Sequence, residues 1–153
     1  AQHHLRILSG LYGLLRPRDV IEPHRLEMGS RLANVRGRDL YAFWGDRIAK
    51  ALGTDAAAAG TDVLVNCASV EYFTAADRPA LALRVVTPTF LEDRPEGPKV
   101  MSFWAKQARG AMARFIVQNR LRDPEALTEF DSGGHRFQPE LSTPDRPVFL
   151  RSA

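Results

Sequence analysis

The sequence has a single cysteine, Cys67, which excludes an internal disulfide and suits a reducing compartment. It has no apolar run approaching the ~18 residues of a membrane-crossing helix. Its opening, Ala1-Gln2-His3-His4, lacks the basic and apolar regions of a secretory signal. A cytoplasmic chain with no membrane partner is the expectation. Walker A, GxGxxG and GxSxG patterns are all missing. His3, His4, His24 and His135 do not combine with Cys67 into a metal-ligand spacing, and on a helix the adjacent His3 and His4 would point about 100° apart. No resident metal or cofactor is therefore expected. Acid is missing from one long stretch: Lys99 to Arg122 carries Lys99, Lys106, Arg109, Arg114, Arg120 and Arg122 with no Asp or Glu.

Apolar residues make up 44% and charged residues 25% of the 153, the proportions of a globular chain with room for a core. One domain over residues 1–153 is expected. The net charge of +3 is too small to identify a partner, so the distribution of the cations matters more than their excess.

The segment around Ile7–Pro17 (ILSGLYGLLRP) places two glycines three apart between apolar runs, with Arg16 just beyond. Leu5 to Leu15 reads as a helix interrupted near Ser9-Gly10 and stopped by Pro17. Gly10 and Gly13 would then form a hairpin similar to a helix-hairpin-helix DNA-binding element, with an extra residue between the glycines. Backbone N–H groups there could meet a phosphate, or the glycines could let another element pack close.

Further along, Arg38 to Leu52 has helical periodicity with Gly53 as its stop, and Asp55 to Gly60 can extend the helical region. Residues 63–68 read as a short buried strand. Ser69-Val70-Glu71 follows at its end, where scaffolds expose functional side chains. Asn66, Ser69 and Glu71 are thus the catalytic candidates, with Arg25 and Glu27 as further cleft residues, and Ser69 equally suits an N-cap. Cys67, in an apolar run, reads as an inert buried thiol. Ala82 to Leu91 reads as a strand interrupted at Pro88, with Val100 to Trp104 as its return. A helix then runs to Leu121, with Trp104, Ala108, Ala111, Met112 and Phe115 on its apolar side. Lys106, Arg109 and Arg120 fall on its opposite side, and with Arg114 they form a track for phosphates or a solvated basic face. Asp123-Pro124-Glu125 starts a short helix, and strands are expected near Arg136-Phe137 and Val148-Phe149-Leu150. The irregular alternation predicts an α+β fold, a mixed sheet with flanking helices.

The runs HLRILSGLYGLLRPRDVIEPHRLEMG (His4 to Gly29), GRDLYAFWGD (Gly37 to Asp46), NCASVEYF (Asn66 to Phe73) and SFWAKQARG (Ser102 to Gly110) resemble the YaaA peroxide-stress protein family of bacteria. The resemblance spans nearly the whole chain. Two departures stand against it: the family's N-terminal portion is absent from these residues, and Val70 sits where members usually have a polar or acidic residue. The resemblance further implies binding of double-stranded DNA in a basic cleft, and protection during hydrogen peroxide stress by lowering iron and limiting DNA damage; a monomer is expected, and enzymatic activity is left open. On that reading Gly10, Gly13 and Arg16 belong to the hairpin, and Lys106, Arg109, Arg114 and Arg120 supply the charge. The alternative is an enzyme acting on a nucleobase, nucleoside or damaged nucleic acid, centred on Asn66, Ser69 and Glu71.

Overall fold

The computed structural model describes residues 1–152. The chain forms two compact units of an α+β fold, each assembled from separated stretches: Ala1–Asp62 with Ala68–Leu83, and Val63–Cys67 with Arg84 onward.

The first unit begins with a β-hairpin, β1 (Ile7–Ser9) and β2 (Gly13–Leu15), in register Ile7 to Leu15, Leu8 to Leu14 and Ser9 to Gly13. This corrects the expected Leu5–Leu15 helix, and no helix-hairpin-helix element forms there. Gly13 sits at φ 74°, a left-handed conformation outside any helix. Its missing side chain leaves room for the Trp44 ring, whose Nε1–H donates to the Gly10 carbonyl at 3.0 Å.

α1 (Leu40–Trp44) starts where the Asp39 carboxylate accepts the Ala42 N–H at 2.8 Å, which satisfies one of the orphan donors of the first turn. Gly45 at φ 50° then breaks the helix, and α2 (Arg47–Ala59) restarts it and runs through Gly53 to Gly60. The expected continuous helix over 38–52 is therefore two, and Gly53 lies inside the second. Ile48, Ala49, Leu52 and Ala56 form the buried stripe of α2, and full burial of a side chain the size of Ile48 contributes about 1.5–3 kcal/mol. Both Arg6 and Arg16 reach Asp55 on this helix, which ties the hairpin strands to α2. Their guanidiniums hold the Asp55 carboxyl below its ordinary value, chiefly through the Arg6 hydrogen bond. α3 (Val70–Phe73) is capped by Ser69.

In the second unit β3 (Val63–Val65) pairs parallel with β4 (Arg84–Val86). Thr87 and Pro88 then interrupt the chain, so that β5 (Thr89–Glu92) joins a different, mixed sheet of order β5–β7–β6, parallel to β7 (Val148–Arg151), which is antiparallel to β6 (His135–Phe137). No return strand forms over 100–104: one bridge, Glu92 to Lys99, closes the turn. α4 (Ser102–Asn119) follows at once. The described core of this unit packs Phe90, Phe130 and Phe149 against Ala105, Ala108 and Met112 of α4. Trp104 lies outside that core, 36% exposed, with the Arg151 guanidinium 3.7 Å from its ring centre. Of the expected apolar side of α4, Ala108 and Met112 are in the core and Ala111 and Phe115 pack against it; Trp104 alone is not, and Ala105 is buried beside them.

Ser9, Asn66, Glu92 and His135 are the buried polar residues among those described, and Glu92 and His135 lie in the β5–β7–β6 sheet. Glu92 is held between Arg94 at 3.0 Å and Arg151 at 3.1 Å. His135 is 3% exposed, lies edge-on to Phe90, and its Nδ1 has no partner among the described residues. Burial, then the nearby Arg151 charge, pushes the His135 pKa below its ordinary value of 6.5.

Below that ordinary value the unfolded chain binds the proton more readily than the folded one, so folding stability should fall as pH drops below about 6.5. His135→Phe should flatten that part of the profile, as urea unfolding between pH 7.5 and 5 would show; an equal slope in both proteins would remove His135 as the cause. Two glycine replacements should diverge in the same assay. Gly13→Ala puts a Cβ 2.7 Å from the Trp44 ring at positive φ and should cost about 2 kcal/mol or more. Gly53→Ala places a Cβ with nothing within 4 Å and should add about 0.5–1 kcal/mol.

Candidate functional site

In the first unit Gly10 is buried, and a Cβ on it would run into the Leu26 carbonyl. Together with the Trp44 contact at Gly13, this gives both glycines a packing role. Arg16 is half exposed, with Nη2 donating to Asp55 at 2.8 Å, so part of its charge is already neutralised. Ser69 Oγ accepts the Tyr72 N–H at 3.5 Å as the α3 cap. Glu71 Oε1 accepts the Gly29 N–H at 2.9 Å, and the Glu71 carbonyl accepts the Tyr41 hydroxyl at 2.9 Å. Burial, followed by the Glu71 charge, raises the Tyr41 pKa above 10.0. Arg25 and Glu27 are both exposed. Asn66 belongs to the second unit, where its Nδ2 donates to Thr87 Oγ1 at 3.4 Å and its backbone N–H to Val86 at 2.8 Å. All three catalytic candidates therefore hold backbone or neighbouring side chains in place.

A contact the sequence did not suggest joins Ser9 to His24. Ser9 Oγ lies 3.4 Å from His24 Nε2 and accepts the Tyr12 N–H at 3.2 Å, while His24 Nδ1 is 3.0 Å from the Glu22 carbonyl. With Nδ1–H donating to Glu22, Nε2 accepts the Ser9 hydroxyl. The two stand fifteen positions apart in the chain, and only the fold brings them together. Ser9 is 7% exposed, and its hydroxyl braces the turn of the hairpin.

In the second unit the outward side of α4 carries the charge. Lys106, Arg114 and Arg120 are exposed and Arg109 is half buried. α4 contains no Asp or Glu. Among the described residues Lys106, Arg109, Arg114 and Arg120 form no ion pair. Arg109 lies close enough to Cys67 to favour its thiolate, yet burial dominates and pushes the thiol up to about 11. Cys67 therefore stays protonated at neutral pH and is a poor nucleophile.

The four cations differ in setting. Arg114 shares a groove of about 590 Å³ with Glu129 and Asp131, floored by Phe115 and Phe130. Its field is offset by those two carboxylates. Arg120 closes α4 at φ 52°, the one non-glycine residue with positive φ among the described residues. Glycine is the usual occupant of such a helix end, because a Cβ there is strained. Strain of this kind gathers where a side chain serves something other than the fold. No group of three or more His, Cys, Asp or Glu side chains is placed to hold a metal ion among the described residues, and no helix is long and apolar enough to cross a membrane.

Residues 1–141 match the family model described as peroxide stress protein YaaA. Among relatives, a UPF0246 protein of Cereibacter sphaeroides is 68% identical over 152 residues, covering 99% of this chain and 59% of the relative. One of Roseobacter denitrificans is 65% identical over 153 residues, with the same shares. One of Dinoroseobacter shibae is 62% identical over 151 residues, covering 99% of this chain and 57% of the relative. The chain thus spans somewhat under three-fifths of the length of the curated relatives it matches.

Arg120→Gly tests whether the α4 terminus holds strain. The substitution should raise the unfolding free energy by about 1 kcal/mol, read as a shift of the urea midpoint at constant slope. A loss of stability would mean that the Arg120 side chain itself holds the helix end.

Proposed function

Because the chain belongs to the peroxide stress protein YaaA family, we propose that it binds double-stranded DNA through the outward face of α4 and limits oxidative damage to that DNA. The observation carrying this reading is the α4 face itself. Lys106 and Arg109 lie on an acid-free helix, Arg120 closes it, and none of the three forms an ion pair among the described residues. Unpaired cations spaced along one helix suit the regular negative charge of a phosphate backbone. Arginine also offers a planar fork that matches two phosphate oxygens. Such contacts fix the protein on the duplex without reading sequence. A protein lying on the backbone can shield it from oxidants formed nearby, and this links the binding reading to the peroxide response of the family.

The test is a titration of several duplexes over a range of salt concentrations. Each phosphate contact adds about 0.9 to the slope of log affinity against log salt. Lys106→Ala with Arg109→Ala should lower the slope by up to about 2, equally for all duplexes. Arg114→Ala should lower it less, because Glu129 and Asp131 line the same groove. Wild-type protein should also slow strand cleavage of a plasmid by ferrous iron and peroxide, and the double variant should protect less. An unchanged slope in the double variant would make α4 a merely solvated surface and sink the reading.

A further inference from the structure

Residues 31–38 form a second cationic surface, in the unit that does not carry α4. The Asn34 N–H donates to the Gly37 carbonyl at 2.8 Å, and the Gly37 N–H returns to the Asn34 carbonyl at 3.1 Å. Val35 and Arg36 are therefore the two residues at the tip of a tight turn. The Asn34 side chain braces it: Oδ1 accepts the Arg36 N–H at 2.9 Å, and Nδ2 donates to the carbonyls of Leu32 and Asp39 at 2.9 and 3.0 Å. The tip is thus held in one shape, with Val35 98% exposed.

Arg31, Arg36 and Arg38 stand around this tip, all exposed, and Arg47 opens α2. The Arg36 and Arg47 guanidiniums lie 5.0 and 5.5 Å from the centre of the Phe43 ring, and Arg47 Nη1 also donates to the Phe43 carbonyl, so the ring holds both cations. Arg38 reaches Asp39 at 3.4 Å. Arg31, Arg36 and Arg47 have no carboxylate partner among the described residues. Guanidiniums gathered in this way repel one another, and a polyanion relieves that repulsion. Arginine favours phosphate over a simple acidic surface. The narrow tip also suits the minor groove, which is about 6 Å wide and accepts arginine and small apolar wedges. A bilayer is a poorer match, since interfacial anchors present Trp, Phe or Leu on a broad apolar face and this tip presents one valine.

We propose that the 31–38 turn is a second duplex-DNA contact, with Arg31, Arg36 and Arg38 on backbone phosphates and Val35 entering the minor groove. The proposal rests on the DNA-binding reading above and adds a surface that α4 does not provide.

The experiment compares four forms of the chain on a short labelled duplex across salt concentrations: wild type, Arg31→Ala with Arg38→Ala, Val35→Glu, and Lys106→Ala with Arg109→Ala. The Arg31/Arg38 variant should lose up to about 2 from the salt slope. Val35→Glu, at a position that touches almost nothing, should weaken binding at least several-fold with an unchanged melting temperature. Wild-type slope and affinity in both turn variants, with a reduced slope in the α4 variant, would overturn the turn proposal alone. Absence of salt-dependent duplex binding by wild type would overturn both. Each form is also tested on phosphatidylglycerol vesicles. Turn variants that lose vesicle binding while keeping full duplex binding would overturn the proposal in favour of a membrane surface.

Discussion

The ring cluster around Phe149 is the constraint on which the second unit depends. Phe149 stacks on Phe90 at 5.4 Å, meets Phe130 edge-on at 5.5 Å and lies 5.8 Å from Phe137. Phe130 in turn meets Phe115 of α4 at 5.7 Å. Strands β5, β6 and β7, helix α4 and the 3-10 turn Pro124–Glu129 thus converge on one set of rings. Such rings bury about 150–250 Å² each and prefer offset or edge geometries, so they determine rotation as well as distance. With Ala105, Ala108 and Met112 turned inward against the rings, Lys106 and Arg114 on the same helix are left exposed. The exposure of the basic face follows from the packing of the apolar one.

The polar groups within this apolar surrounding are not equivalent. Glu92 meets two guanidiniums, and Arg151 continues outward to stack on Trp104. Removing one partner of a buried pair leaves a charge without compensation, typically at 3–5 kcal/mol, so this arrangement keeps the edge of β5 and β7 joined to the first turn of α4. His135 has no comparable support at Nδ1, and burial holds it neutral instead of pairing it. The same sheet therefore carries one ionised group made tolerable by its neighbours and one ionisable group kept uncharged by them.

The parts of the fold that could be read in the sequence were those set by local chemistry. Ser69 and Asp123 cap the elements that follow them, because a side-chain acceptor before a helix has few other uses. Val148 to Leu150 and Arg136-Phe137 lie in strands as their composition suggested. The misread elements were decided by distant partners. Leu5 to Leu15 has helix-compatible spacing, but Trp44, thirty-one residues beyond Gly13, occupies the space above that glycine. Helical periodicity over 38–52 could not indicate which backbone Trp44 would lie against. Helical spacing also put Trp104 on the apolar side of α4, and only Arg151, far along the chain, explains its position at the surface. The Ser9–His24 contact and the sharing of Asp55 by Arg6 and Arg16 are equally non-local. Among the candidate site residues, the charge pattern of α4 was legible because it needs only helical spacing. The engagement of Ser69 and Glu71 with nearby backbone was visible for the cap alone.

How the carboxylates are distributed gives the basic surfaces their meaning. A net charge of +3 describes a nearly balanced chain, yet the balance is not local. Asp39 and Asp123 cap helices, and Asp55, Glu92 and Asp145 pair with arginines. Glu71 accepts a backbone N–H. These acids act within the fold, where their fields are largely cancelled by the groups they meet. Among the described residues Lys106, Arg109, Arg31 and Arg36 have no such ion-pair partner. Beyond about one Debye length, roughly 8–10 Å at physiological salt, the overall charge of a protein is screened. A polyanion in contact therefore responds to the local surplus, which on these two surfaces is far larger than the net value suggests. Weak overall basicity is for this reason compatible with strongly salt-dependent binding. The acid-free stretch from Lys99 to Arg122 is more informative than the isoelectric point, because it shows where the surplus lies.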